Sequence, residues 1–443
     1  MSFDTTKLPI GKCLLKVIDN RGKTPPLSDV KTRHGLIEIN ALVGQNKHPD
    51  YKVIRKFVSA ETYGSWFRSG HPKDGDVLFS TVGSIAEVAI ICGGKGCIAQ
   101  NLIALRTNPA IVNSDYFYYA LINPDVQAKL RTLDISSVQP SIKVPHLLAT
   151  EIPLISLSLQ KEVVVVLSAL DDRITLLRET NATLEAIAQA LYKSWFVDFD
   201  PVRAKLEGRT PDGMDEATAA LFPDGFEGSE LGLVPRGWRI CPVAEVAKLF
   251  SGGTPDTRKP EYWFGDLRWF SSGETRNQIV VDTEKRISSE AVAESSTKLA
   301  IPGDILIASA GQGHTRGQTS YCAVETYINQ SVVAIRADAK KCFSSWLFYG
   351  LSRRYPEMRD LSDSHSSRGS LTTKLLGGMF VMLPNHAVMH AFDNIFSELF
   401  ESQINNLNEI TTLSNLRDTL LPRLISGQLR LPEFESLTEE SVA

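Results

Sequence analysis

The sequence is first informative for what it lacks. No run of about 18 apolar residues occurs in its 443 positions, so no segment reads as membrane-spanning. The opening stretch MSFDTTKLPIGK holds no apolar core of signal-peptide type, and a cytoplasmic location is expected. Cysteines number six and are scattered (Cys13, Cys92, Cys97, Cys241, Cys322, Cys342). Only Cys92 and Cys97 lie close together, without a second pair or a His-x-x-x-His to complete a zinc site, so free thiols are expected and no metal site. Catalytic signatures are missing too. Gly22-Lys23-Thr24 ends like a phosphate-binding loop, but Val17 stands where its first glycine belongs. Asn123-Pro124-Asp125 and Asp200-Pro201-Val202 do not fit the Asn/Asp-Pro-Pro-aromatic segment of an adenine methyltransferase, and no HEXXH, GxSxG or EF-hand loop occurs. The eight histidines are dispersed. These absences point to a protein that binds rather than catalyses.

Proline and glycine are also absent between residues 160 and 194, and there a heptad pattern runs unbroken. Val163, Leu167, Leu170, Ile174, Leu177, Asn181, Leu184, Ala188, Leu191 and Trp195 recur at alternating steps of four and three, the seam of a coiled coil. Asn181 is the polar member, at a position where a buried amide fixes register. So narrow a seam requires a partner helix. The same spacing recurs from Phe392 through Phe396, Leu399, Gln403, Asn406, Ile410, Leu413, Arg417, Leu420 and Leu424, 229 residues later. Asp171-Asp172, an adjacent acid pair on the first helix, reads as part of its solvated face.

The repeat extends beyond the helices. Arg21-Gly22-Lys23-Thr24-Pro25 aligns with Ser251-Gly252-Gly253-Thr254-Pro255, Gln100 to Arg106 with Gln330 to Arg336, and Tyr116 to Leu121 with Trp346 to Leu351, each offset by 230. Lys73 to Phe79 aligns with Ile301 to Ile307 at 228, and Ser136-Ser137 matches Ser366-Ser367. Within these blocks short β-branched runs alternate with Gly, Asn and Pro breaks, which predicts strands. Asp115 and Ser344 are candidate N-caps of a short helix in each half. Asp76 and Asp304, in the repeated Gly-Asp before a strand, read as turn residues, and Trp263 and Trp269 as core.

The expected class is α+β: two mixed α/β domains related by an internal pseudo-two-fold repeat and separated by two long helices in an antiparallel coiled coil. The expected segments are 1–155 and 237–387 for the domains, 156–199 and 388–431 for the helices, 200–236 for a partly ordered connector, and 432–443 for an acidic tail. Charge divides along the same lines. The two domains carry +5 and +3, whereas the helix segments, connector and tail are negative throughout. That asymmetry suits domains that meet nucleic acid and helices that meet protein. About 37 residues of helix span roughly 55 Å, against about 34–36 Å for one turn of B-DNA. On this reading the helices act as a ruler between two DNA-reading domains.

The helix ends sharpen the assignment. Leu420-Leu421-Pro422-Arg423-Leu424-Ile425-Ser426-Gly427-Gln428-Leu429 and Ala190-Leu191-Tyr192-Lys193-Ser194-Trp195-Phe196-Val197-Asp198-Phe199 resemble the spacer-helix ends of type I restriction–modification specificity (S) subunits. Leu221 to Phe226, Gly232-Leu233-Val234-Pro235-Arg236-Gly237-Trp238 and the repeated Gly-Asp-Ile/Val-Leu strand match as well. The resemblance spans essentially the whole chain, and departs from the pattern at the N-terminus, which lacks a Pro-x-Gly-Trp before the first domain.

The resemblance implies a non-catalytic subunit with two target recognition domains, each reading one half of an asymmetric bipartite site in double-stranded DNA. The helices would set the unread spacer and dock two methyltransferase (M) subunits. It implies S-adenosylmethionine on the M subunits and ATP with Mg2+ on two restriction (R) subunits, with adenine methylation and restriction done by those partners, and no cofactor on this chain. Candidate DNA contacts are Arg21, Lys23, Thr24, Ser137, Gln139 and Ser141 in the first domain. In the second they are Thr254, Arg258, His314, Arg316, Ser367, Arg368 and Ser370; arginine is the commonest direct reader of guanine. Helix-seam contacts are expected from Leu170, Ile174, Leu177, Asn181, Leu184, Leu191, Leu413, Leu420 and Leu424. The competing readings are a coiled-coil scaffold that bridges partners without reading DNA, and a self-sufficient enzyme with an unfamiliar site.

Overall fold

The structure is a computed structural model and describes residues 6–44, 46–93, 96–134, 139–229, 232–311, 313–365 and 369–429. It divides into two units, Met1–Leu177 with Glu409–Ala443, and Arg178–Asn408. Among the described residues no helix is long and apolar enough to cross a membrane.

The first unit is built on an antiparallel sheet of β1 (Leu14–Ile18), β2 (Val77–Ser80), β3 (Val88–Ile90) and β4 (Leu102–Thr107), in the order β1-β4-β2-β3. All four residues of β2 are buried, because both faces are covered. Val77 and Phe79 point to one core, and Leu78 to a second with Ala104 and Ile18. The period of two decides which side chain meets which layer. Helix α1 (Ser114–Ile122) covers the first face through Tyr116 and Phe117. Its N-cap is Asn113, whose Oδ1 accepts from the backbone N–H of Asp115 and Tyr116. Asp115, the expected cap, sits inside the first turn.

Two long helices contribute to this unit. Helix α2 (Leu157–Lys193) supplies Val163 and Leu167, and helix α4 (His386–Ile425) supplies Leu420, Leu424 and Ile425, to one core with α1. Ile174 and Leu177 are buried, and Leu170 and Leu413 half-buried. Arg173 pairs with Glu409 at 2.7 Å at the surface. Asp171 corrects the sequence reading. It is buried, not solvated, and its Oδ1 accepts from Arg417 Nη1 at 2.8 Å while Oδ2 accepts from Tyr119 Oη at 2.6 Å.

The second unit repeats the plan. β5 (Ala247–Ser251), β6 (Ile279–Val280), β7 (Ile305–Ala308), β8 (Thr319–Cys322) and β9 (Val332–Ala337) form a sheet in the order β5-β9-β7-β8-β6, antiparallel except for β8 with β6. Helix α3 (Ser344–Ser352) stands where α1 stands in the first unit, preceded by Phe343 without a side-chain cap, so Ser344 is inside the helix rather than its cap. A second four-stranded sheet, with Leu267–Phe270 inside it, is an elaboration of this unit. Trp269 is buried there, and Trp263 packs against it edge-on with ring centroids 4.9 Å apart.

Here the far parts of the long helices meet, antiparallel again. Ala188, Tyr192 and Trp195 pack with Phe392 and Phe396, and Leu184 and Leu191 are half-buried. Asn181 hydrogen-bonds across the helix pair. Its Nδ2 donates to Gln403 O and Gln403 Nε2 returns a bond to Asn181 O, both 3.2 Å, while Asn406 Nδ2 donates to Asn181 Oδ1 at 2.8 Å. The described part of the connector holds short helices among its Asp, Gly and Pro residues. It contains helices Asp200–Leu206 and Glu216–Ala220, and Lys205 Nζ donates to Phe222 O at 2.6 Å.

Asp76 and Asp304 turn out to be a repeated internal clamp. Each is buried, accepts a backbone N–H three residues earlier (Lys73, Ile301), and holds the arginine of the neighbouring strand, Arg106 or Arg336, through two hydrogen bonds.

Candidate nucleic-acid interface

In both units the same three loops converge. The loop after β2 is stitched to the turn before β4 and to the segment Pro140 to Ile142. Thr81 N–H donates to Asn101 O (2.9 Å), Gly83 N–H to Pro140 O (2.9 Å) and Ile142 N–H to Thr81 O (2.9 Å). In the second unit the loop after β7 makes the matching bonds, Ser309 N–H to Ser331 O (2.8 Å) and Leu371 N–H to Ser309 O (2.8 Å). The glycine-rich turn after β1 or β5 completes each set. Thr254 Oγ1 donates to Gln330 Oε1, while Thr24 and Gln100, their counterparts, line one cavity of about 440 Å³ with Gly83 and Gln139. The structure therefore brings Thr24 and Gln139 together, and Ser370 beside the loop that carries Arg316.

Arg21 is held by its near neighbour. Asp19 accepts from its Nε at 2.8 Å and Nη2 at 2.7 Å, leaving Nη1 directed to Thr81 Oγ1 at 3.4 Å. That hydrogen-bonded guanidinium holds the Asp19 carboxyl below the usual carboxylate range. Arg258 repeats the device on Asp256, with Nε at 3.0 Å and Nη2 at 2.9 Å, and takes the Asp256 carboxyl down to about 2. Such short-range pairing pre-orients an arginine fork for an incoming anion or base edge. Lys23, His314 and Ser370 are exposed, and Ser141 donates its N–H to Asp134 Oδ1 at 2.9 Å. Ser137, Ser367 and Arg368 lie outside the described residues.

Arg316 departs from the expectation of a free reader. It is 8% exposed; Nη1 donates to Gly369 O at 2.9 Å and Nη2 pairs with Asp363. Its guanidinium ties the loop after β7 to the segment around Gly369, so it shapes the face from within. Gln100, Gln330, Thr81 and Ser309, none of them a candidate from sequence, also belong to these faces. The two glutamines sit inside a repeated block and the two hydroxyl residues directly follow the repeated strand, which was the available signal. Trp66 and Arg68, beside Arg21 and Lys23, are likewise not candidates from sequence and carry no repeat signal.

The family model for the type I restriction modification DNA specificity domain matches residues 69–186. The type I restriction enzyme HindI specificity subunit of Haemophilus influenzae is 26% identical over 377 residues, covering 75% of this chain and 81% of that protein. The MjaIX specificity subunit of Methanocaldococcus jannaschii is 24% identical over 350 residues, covering 77% and 76%. The crystal structure of a type I restriction–modification S subunit from M. genitalium shares the fold, with a TM-score of 0.56 at 16% identity over 95% of this chain and 96% of that one. By sequence over about three quarters of its length, and by fold over nearly all of it, the chain is similar to the specificity subunits of type I restriction–modification systems.

Proposed function

We propose that this chain reads DNA for a type I restriction–modification enzyme, each unit contributing its three-loop face to one half of a bipartite site. The observation that carries this reading is the repetition of that face: two copies of one loop framework, with different side chains, suit two different half-sites. Thr24, Gln100 and Gln139 furnish amide and hydroxyl groups in the first unit, while Thr254 and Gln330 are already bonded to each other in the second. Amides and arginines are the side chains that match base edges in the major groove.

Chemistry belongs, on this reading, to partner subunits. Two M subunits would dock on the long helices and bind S-adenosylmethionine; where R subunits accompany them, those use ATP and Mg2+. An adenine inside a duplex must leave the stack before methylation, a task for the methyltransferase rather than for this chain.

Single-molecule sequencing of methylated adenines, in cells with and without this gene beside its neighbouring methyltransferase, tests the proposal. Loss of a two-part motif with a fixed gap is the expected result. Unchanged methylation together with salt-independent DNA binding would favour a bridging scaffold instead.

A further inference from the structure

We propose that a pocket in the first unit, between the turn Asp19 to Lys23 and the turn Ser65 to Arg68, is a clamp for the DNA phosphodiester backbone, built on a turn that is open here and filled in the second unit. The inference rests on the DNA-specificity reading and adds to it a division of labour: one unit anchors the duplex while both read it.

The pocket is a built feature. Asn20 bridges its two walls, Nδ2 donating to Gly70 O at 2.8 Å and Oδ1 accepting from Ser69 N–H at 2.9 Å. Ser69 Oγ donates to Asp19 O at 2.6 Å. These bonds hold open a cavity of about 550 Å³. Lys23 and Arg68 line it, both exposed, and neither has an ion-pair partner among the described residues. Trp66 presents part of its indole at the same wall. Arg21, braced by Asp19, reaches Thr81 on the three-loop face, so pocket and face are continuous. Free cations beside an accessible backbone are what a phosphate meets most favourably, and an aromatic wall tolerates any sugar or base beside it.

The aligned glycines of the two turns differ in what surrounds them. A Cβ added at Gly22 would meet nothing within 4 Å, so that turn is open to a ligand. At Gly252 it would fall 1.8 Å from Ile328 O, and at Gly253 2.2 Å from Ser296 Oγ. The equivalent turn is filled by its own protein, and the positions of Arg21 and Lys23 are taken by Ser251 and Gly253.

The test uses the chain assembled with its methyltransferase subunits and a duplex carrying the methylated motif, with binding measured between 50 and 200 mM salt. Each phosphate contact contributes roughly 0.9 to the slope of log K against log salt. Lys23→Ala and Arg68→Ala should each lower the slope by about that amount, and the double variant by about twice it, with the motif unchanged. Arg68→Lys and Lys23→Arg should keep the slope, which separates charge from folding. Arg209→Ala, in the connector, should leave it alone. An unchanged slope in the double variant, with site-specific binding intact, overturns the clamp and leaves the specificity reading standing. So does an equal fall with Arg209→Ala. Absence of any site-specific, salt-dependent binding by the unaltered complex overturns both.

Discussion

Asp171 and Arg417 face each other at 2.8 Å within the helix pair of the first unit, each less than a tenth exposed. The pair lies in a seam otherwise filled by Val163, Leu167, Leu420 and Leu424, and Tyr119 of α1 closes it by donating to the same carboxylate. Removing one partner strands a buried charge, at a cost of about 3–5 kcal/mol. Arg417→Met should therefore lower the denaturation midpoint sharply. Asp171→Leu with Arg417→Met should recover most of that loss, because the desolvation of both ions goes with them. Urea unfolding of the two variants checks this, and a double variant as unstable as the single would contradict it.

Leu177 and Leu184 occupy the same heptad position seven residues apart, yet only Leu177 is buried; Leu184 is half-exposed. Leu177→Ala should cost about 2–5 kcal/mol through lost burial and the space left behind. Leu184→Ala should cost less than half as much. Equal losses from the two variants would mean that the helices pair differently from the arrangement described.

Acid sensitivity of the first unit is expected at His71. Its ring stacks on Tyr63 with centroids 3.7 Å apart and planes 2° apart, and Nε2–H donates to Tyr63 O at 2.8 Å. Nδ1 is buried with no hydrogen-bond partner, so a second proton has nothing to bond to. Burial, the larger cause, lowers the imidazole pKa below its ordinary value. The unfolded chain thus takes up a proton near pH 6.5 that the folded chain resists. The contribution is complete above that pH and is lost as pH falls toward the lower folded value. NMR titration should place the His71 midpoint below 6.5, and His71→Gln should flatten the stability profile between pH 5 and 7.

Much of this architecture is legible in the residues, and the exceptions share a cause. Heptad spacing and the 230-residue repeat carry the helices, the strands and α1 with α3, because burial periodicity is written locally. Asp171 was misread for the complementary reason: whether an acid on a helix is solvated depends on Arg417 and Tyr119, 246 and 52 residues away. Asn113 displaced Asp115 as the cap because both suit the role, and only backbone geometry chooses between them. Of the interface, the repeated loops were legible as segments, but their stitching through Thr81 and Ser309 was not. Trp66 and Arg68 belong to the first unit alone, so no repeat could point to them.

Arg316 brings the two issues together, since its place in a glycine-rich loop suggested a base reader and its surroundings assign it a structural task. Nη1 holds Gly369 O, Nη2 holds Asp363, and Leu371 N–H meets Ser309 O in the same corner. Gly369 takes a φ of +50°, a left-handed conformation available cheaply to glycine, and this brings its carbonyl to the guanidinium. Asp363 is more than half exposed, so solvent screens the ion pair and the buried bond to Gly369 matters more. Arg316→Ala should cost about 2 kcal/mol through that unsatisfied carbonyl and the space left behind. It should also degrade several positions of the half-site read by the second unit while sparing the other half. Arg316→Lys should behave almost as badly, because an ammonium cannot reach in two directions at once. A side chain that read one base directly would instead relax one position and leave stability untouched. Measuring the methylated motif and the unfolding midpoint on the same variants separates these outcomes.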